Sequence, residues 1–307
     1  MGFFMGKPLH NARYFYNIFR VGKYRTKTMI KDMASKWLLV ILMCISFGLQ
    51  AQRKPKIKGN RSVIEVNKEL PAFNSIRLVD DLVLTLKRTS EPGYTITADD
   101  NLIDILKFKV EDSTLIVSSF YQVTAKKKLD ITIRYNQLQS ISLLDGSIRS
   151  DDLIKSETLI IEATGFSKLN INSDAELVQI RMDGNTTGSF NVRADSLHTT
   201  LHNKADVNIY YDGYKNHLEM DDTSSLFLEG TTDFFSLEMN GNTNLKGQNF
   251  EAQEVKALVG ASSNAKLFAV VQLDLSQSGS SKCYLYGDPK IAIAAFSDTS
   301  ELYKRNN

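Results

Sequence analysis

Residues 218–241 read Leu218-Glu-Met220-Asp-Asp222-Thr-Ser-Ser-Leu226-Phe-Leu228-Glu-Gly-Thr-Thr-Asp-Phe-Phe-Ser-Leu237-Glu-Met239-Asn-Gly241, so that Leu-Glu-Met-Asp-Asp returns nineteen residues later as Leu-Glu-Met-Asn-Gly. Extended in both directions, the same step runs through Gly146, Gly165, Gly184, Asn203, Asp222, Gly241, Gly260, Gly279 and Asp298. Every member of that column is Gly, Asn or Asp, the residues that tolerate a left-handed backbone in a tight turn. Two residues before each marker stand Ala163, Met182, Leu201, Met220, Met239, Leu258, Gln277 and Phe296; four before stand Ile161, Ile180, Thr199, Leu218, Leu237, Lys256, Leu275 and Ala294. Positions two apart on a strand share a face, so both columns are expected to point inward. They weaken at Thr199, Lys256 and Gln277, where uneven packing is expected. A second strand follows each turn, as in Leu169/Ile171, Val207/Ile209, Leu226/Leu228 and Cys283/Leu285.

A nineteen-residue unit of two or three short strands cannot bury an apolar face alone. Stacking successive units does so, with neighbours about 4.8 Å apart. Each strand then lies parallel to its predecessor, and the handedness of parallel crossovers predicts a right-handed β-helix. The expected fold is all-β: a right-handed parallel β-helix over 146–298, a solenoid of 19-residue coils. An N-terminal β-rich section over 73–145 starts or caps it.

Upstream, Phe73 to Val79, Leu82 to Leu86 and Leu129 to Tyr135 alternate apolar and polar residues as strands do. Residues 52–72 read as a mobile lead-in and 299–307 as a C-terminal tail. Residues 1–51 read as a leader and signal peptide. Lys36 precedes the apolar run Trp37-Leu-Leu-Val-Ile-Leu-Met-Cys44-Ile-Ser-Phe, and small Ala51 closes it, the order of a secretory signal. A membrane span would need about 20 apolar residues. The basic stretch before it is long for a signal peptide, so translation is expected to start at Met33 or Met29.

Removing 1–51 takes away eight basic residues and one acidic residue. Of the 37 basic and 35 acidic groups, 29 and 34 remain, a net charge of −5. That balance gives no electrostatic reason to bind nucleic acid. Cys44 leaves with the signal, so Cys283 is the single mature cysteine and has no partner for an intrachain disulfide.

Several stretches together resemble the head GIN domain family of Bacteroidetes, whose label, auto-transporter adhesin, is drawn from architecture. They are Phe73-x-x-Ile76, Asp99-Asp-Asn-Leu102, Val110-x-Asp112-x-x-Leu115-x-Val117, Leu129-x-Ile131-x-Ile133, Ile141-x-Leu143-x-x-Gly146 and Tyr286-Gly-Asp-Pro289. The likeness spans residues 73 to 296. It implies an exported β-helical module located in the periplasm, at the outer membrane or outside the cell, and it supplies no catalytic residues to transfer.

The candidate chemistry is sparse. His198 and His217 are nineteen apart, hence neighbours on adjacent coils, outward-facing, with Glu219 and Glu238 beside them. Two imidazoles and a carboxylate are zinc-type ligands, but only two clear ligands converge, and a solvated ladder explains them as well. No metal or cofactor is therefore assigned. His202 sits at a turn beside Asp183 and Asp221, and Asn and Asp at the turns follow from turn chemistry without calcium. Tyr210, Tyr211 and Tyr214, with Phe234 and Phe235 on the next coil, are the candidate ligand-facing aromatics. No G-x-S-x-G, H-E-x-x-H or phosphate-loop motif occurs. The expected function is a non-enzymatic exported cell-envelope or secreted interaction module, adhesin-like and of unknown ligand. The alternative is a carbohydrate-binding or polysaccharide-degrading β-helix. Its partner is an unknown protein or glycan at the envelope, and a homo-oligomer fits the same reading.

Overall fold

The computed structural model describes residues 54–306. The expected leader, signal peptide and start site lie outside the described residues. Ten short strands come first: β1 (Lys56–Lys58), β2 (Val63–Glu69), β3 (Ser75–Leu78), β4 (Val83–Arg88), β5 (Gly93–Asp99), β6 (Leu106–Glu111), β7 (Thr114–Ser119), β8 (Gln122–Ala125), β9 (Leu129–Tyr135) and β10 (Ser140–Leu143). A single 3-10 turn, Asp100–Leu102, separates β5 from β6. The long strands follow: β11 (Ser147–Ala163), β12 (Lys168–Met182), β13 (Thr187–Leu201), β14 (Asp206–Met220), β15 (Ser225–Met239), β16 (Asn244–Val259) and β17 (Asn264–Gln277). Three short ones close the chain, β18 (Lys282–Tyr286), β19 (Lys290–Phe296) and β20 (Glu301–Lys304).

From β11 to β17 each strand pairs in parallel with the next, making a β-solenoid of about nine turns with coils of about nineteen residues. Each coil is one continuous ladder from turn to turn rather than two or three separate strands, because coil-to-coil hydrogen bonding persists around the bend. The inward positions change parity at that bend: Val207, Ile209 and Tyr211 are buried before it, Asn216, Leu218 and Met220 after it. The bend is built around Tyr211, whose hydroxyl lies 3.0 Å from the Ala194 carbonyl and 2.9 Å from that of Lys215. Gly230 passes so close that a Cβ would stand 2.0 Å from the Tyr211 carbonyl, and its φ of 113° is open to glycine.

The turn column takes positive φ at Gly146, Gly165, Gly184, Asn203, Asp222, Gly241, Ala261, Gly279 and Asp298. The step is therefore not a strict nineteen. Met239 pairs with Val259 rather than Leu258, an extra residue being taken up between Phe227/Glu229 and their partners Lys246/Asn249. The following coil is short, Val259 pairing with Gln277. The left-handed position falls on Ala261, not Gly260. A one-residue slip turns every side chain over. Val259 is accordingly buried at 2% exposure while Leu258 is 40% exposed. The apparent fault at Lys256 is thus a shift of register, with Val255 and Ala257 inside. Thr199 and Gln277, in contrast, do point inward and are buried.

The N-terminal section belongs to the same stack. β3 pairs in parallel with β10 and β7, and β4 with β11 and β9, so both columns of the solenoid continue backwards. Antiparallel strands then end it, β6 on β7, and β5 on β9 with β2 on β5. Two segments differ from expectation. The lead-in 52–72 contains β1, paired with β8, and β2, because Val63 to Glu69 supplies a seven-residue edge for β5. The tail 299–307 contains β20, which extends the ladder from β18.

Candidate functional site

Outward side chains form straight columns because the coils are in register. On the stretch following each turn, one column runs Asn170, Ser189, Asn208, Phe227 and the next runs Asn172, Asn191, Tyr210, Glu229. Together they line a shallow groove of about 420 Å³. Tyr210 is 52% exposed. Its neighbour Glu229 accepts a hydrogen bond from Asn249 Nδ2 at 2.9 Å. Asn172 donates to the Ser150 carbonyl at 3.3 Å. The columns escaped the sequence reading, although the nineteen step applied from Asn170 and from Asn172 would have found them.

Tyr210, Tyr211 and Tyr214 do not form one face. Tyr211 is fully buried at 0% exposure and belongs to the bend, where burial pushes its hydroxyl up to about 12. It cannot meet a ligand, since it continues the inward alternation of Val207 and Ile209 up to the bend. Tyr214 lies beyond the bend, edge-on to Phe234 with ring centroids 5.2 Å apart. Only Tyr210 of the three lines the groove. Phe235 is core, packed against Phe250.

On the other stretch of the coil, His198 and His217 are in register as expected, with ring centroids 5.6 Å apart. His217 Nε2 sits 3.0 Å from Glu219 Oε1. Burial by its neighbours and the charges of His217 and Lys215 lower the pKa of His198, so a second positive charge there is disfavoured. Among the described residues no group of three or more His, Cys, Asp or Glu is placed to hold a metal. His202 Nδ1 lies 3.5 Å from Asp221 Oδ2. The turn acids serve the backbone: Asp222 accepts from the Asn203 N–H at 3.2 Å and Asp298 from the Gly279 N–H at 2.8 Å. Cys283 is buried, and burial pushes its thiol up to about 12, so it is inert as a nucleophile.

A second concavity, about 350 Å³, lies where the register slips, lined by Glu219, Glu238, Leu258 and Ser276 among others. Leu258 faces it because of the extra residue upstream.

The family described as "Putative auto-transporter adhesin, head GIN domain" matches residues 72–211 and again 185–289. The chain belongs to the head GIN domain family. The two overlapping matches are what a repetitive domain produces, one stretch of coils aligning where another has already aligned. Three crystal structures share the fold of this GIN-domain protein. A "putative adhesin" from Parabacteroides distasonis has a TM-score of 0.62 at 12% identity, covering 81% of this chain and 99% of that one. A "putative lipid binding protein" from the same organism has a TM-score of 0.57 at 18% identity, with coverage of 81% and 99%. A "putative adhesin" from Parabacteroides merdae has a TM-score of 0.56 at 16% identity, covering 82% and 99%. A comparison with curated proteins gives no match. Among the described residues no helix is long and apolar enough to cross a membrane.

Proposed function

We propose that this GIN-domain protein is a non-enzymatic, exported cell-envelope or secreted module that recognises its partner through the outward columns of the solenoid. The observation that carries the reading is the unbroken parallel register from β12 to β15. It sets equivalent outward positions of successive coils side by side in straight rows and suits a ligand that is itself extended. The adhesin label of the family and of two fold relatives supports the same reading. The apolar run from Trp37, followed by Ala51, supports export.

Cell fractionation of the full chain with a C-terminal tag tests the first half: it is expected in envelope or medium, and retention in the cytoplasm would overturn export. Incubating the purified protein with a panel of polysaccharides tests the second. No new reducing ends are expected, and their steady release would establish an enzyme instead.

A further inference from the structure

We infer that the groove along Asn170, Asn191, Asn208, Tyr210 and Phe227 is a binding site for an uncharged, linear glycan lying along the solenoid axis. The inference deepens the interaction-module reading above and rests on it.

Asn is disfavoured in strands, yet on β12, β13 and β14 it holds four of the six outward positions facing this groove, with Ser189 and Tyr210 in the other two. Internal bonding does not account for them. Among the described residues, Asn172 has a bond to a backbone carbonyl, while no bond is made by the side-chain amides of Asn170, Asn191 or Asn208. Each amide offers two donors and an acceptor, the pattern that pairs with vicinal hydroxyls. Tyr210, half in solvent, supplies an aromatic face ending in a hydroxyl, and Phe227 adds a ring in the neighbouring column. The C–H face of a pyranose stacks on such a ring.

The spacing argues for a polymer. Successive coils are about 4.8 Å apart, roughly the advance of one sugar unit along an extended chain. Amides therefore stand on three successive coils, at Asn170 and Asn172, Asn191 and Asn208, with the rings of Tyr210 and Phe227 at the far end of the row. Charge selects among polymers. The groove is lined by amides, the hydroxyls of Ser189 and Tyr210, aromatic rings, Ile209 and the carboxylate of Glu229, with no Lys or Arg in the lining. A uronate or phosphate polymer would meet no cation there and would face Glu229, and an acyl chain would leave the amides unpaired at a cost.

Affinity electrophoresis of the full chain through gels containing a neutral β-glucan, mannan or xylan, or acidic polygalacturonate, tests the site. At least one neutral polymer is expected to slow migration, and polygalacturonate to leave it unchanged. Tyr210→Ala is expected to weaken retardation about tenfold, the scale of a lost aromatic stacking contact. Asn191→Ala and Asn208→Ala should each weaken it by less, Tyr210→Phe should preserve most of it, and Tyr214→Ala, beyond the bend, should behave as the native chain. All four side chains are exposed, so the fold is expected to survive, which far-UV circular dichroism checks. Migration unaffected by every neutral polymer, tighter binding to polygalacturonate, or a Tyr210→Ala variant equal to the native chain would each overturn the site. The wider reading fails separately: if the tagged protein stays in the cytoplasm, export is wrong whatever the gels show. If it reaches the envelope and no neutral polymer binds, only the glycan site falls.

Discussion

At the scale of single residues, the protein is held by a few side chains whose position in the coil matters more than their type. Tyr211 closes the bend from inside, and its hydroxyl bridges carbonyls of two adjacent coils. Tyr211→Phe is expected to lose about 1–2 kcal/mol by leaving those carbonyls short of a donor, and Tyr211→Ala about 3–5 kcal/mol by opening a cavity, both read from urea denaturation. His198 carries a pH signature. Its pKa is lowered in the fold from the ordinary 6.5, so the unfolded chain takes up a proton first as pH falls. Its contribution to stability is thus complete above about 6.5 and declines as the pH drops toward its folded pKa. Denaturation midpoints across that window should fall less steeply in His198→Gln than in the native chain.

At the scale of elements, the coil from Asn244 to Val259 separates the repeat in the sequence from the repeat in space. A strict step of nineteen puts Leu258 inside and Val259 outside; the strand pairing does the reverse. Val259→Glu should therefore cost about 3 kcal/mol or more, a carboxylate forced into the core between the buried Met239 and Gln277 of the adjacent coils, whereas Leu258→Glu should stay within about 0.5 kcal/mol. Thermal unfolding of the two variants decides between the registers. The same coil shows what a single sequence conceals. An inserted residue leaves composition and turn chemistry intact, and Gly260 beside the true left-handed residue Ala261 makes the slip nearly invisible.

At the scale of the whole described molecule, the stack has unlike ends. The N-terminal end is closed by antiparallel β2, β5 and β6, and exposed β2 carries Glu65, Lys68 and Glu69, charges that suit an edge strand. At the other end β19 lies on β17 with its whole length exposed, Ile293 at 52% and Phe296 at 48%. Local opening is cheapest where apolar contacts are fewest. Hydrogen exchange followed by mass spectrometry should therefore find β19 and β20 exchanging first and β13 to β15 last; equal protection would contradict this account.

The sequence by itself determined the solenoid. Turn chemistry and alternating apolar residues are local properties repeated at one step, so Gly146 to Asp298 and the Leu218/Leu237 and Met220/Met239 columns could be read without coordinates. The in-register His198–His217 pair was legible for the same reason. Only the tertiary structure decided that Tyr214 lies apart from Tyr210 on the far side of the bend, because the reversal of parity after Tyr211 leaves no periodic mark. It also decided that 63–69 and 301–304 join the large sheet and that 56–58 pairs with β8 in a small second one, through pairings no local pattern announces. The groove was half visible. Its Asn columns obey the nineteen step, but that they stand beside a half-exposed Tyr210 depends on which way the strand faces, and packing of the coils sets that.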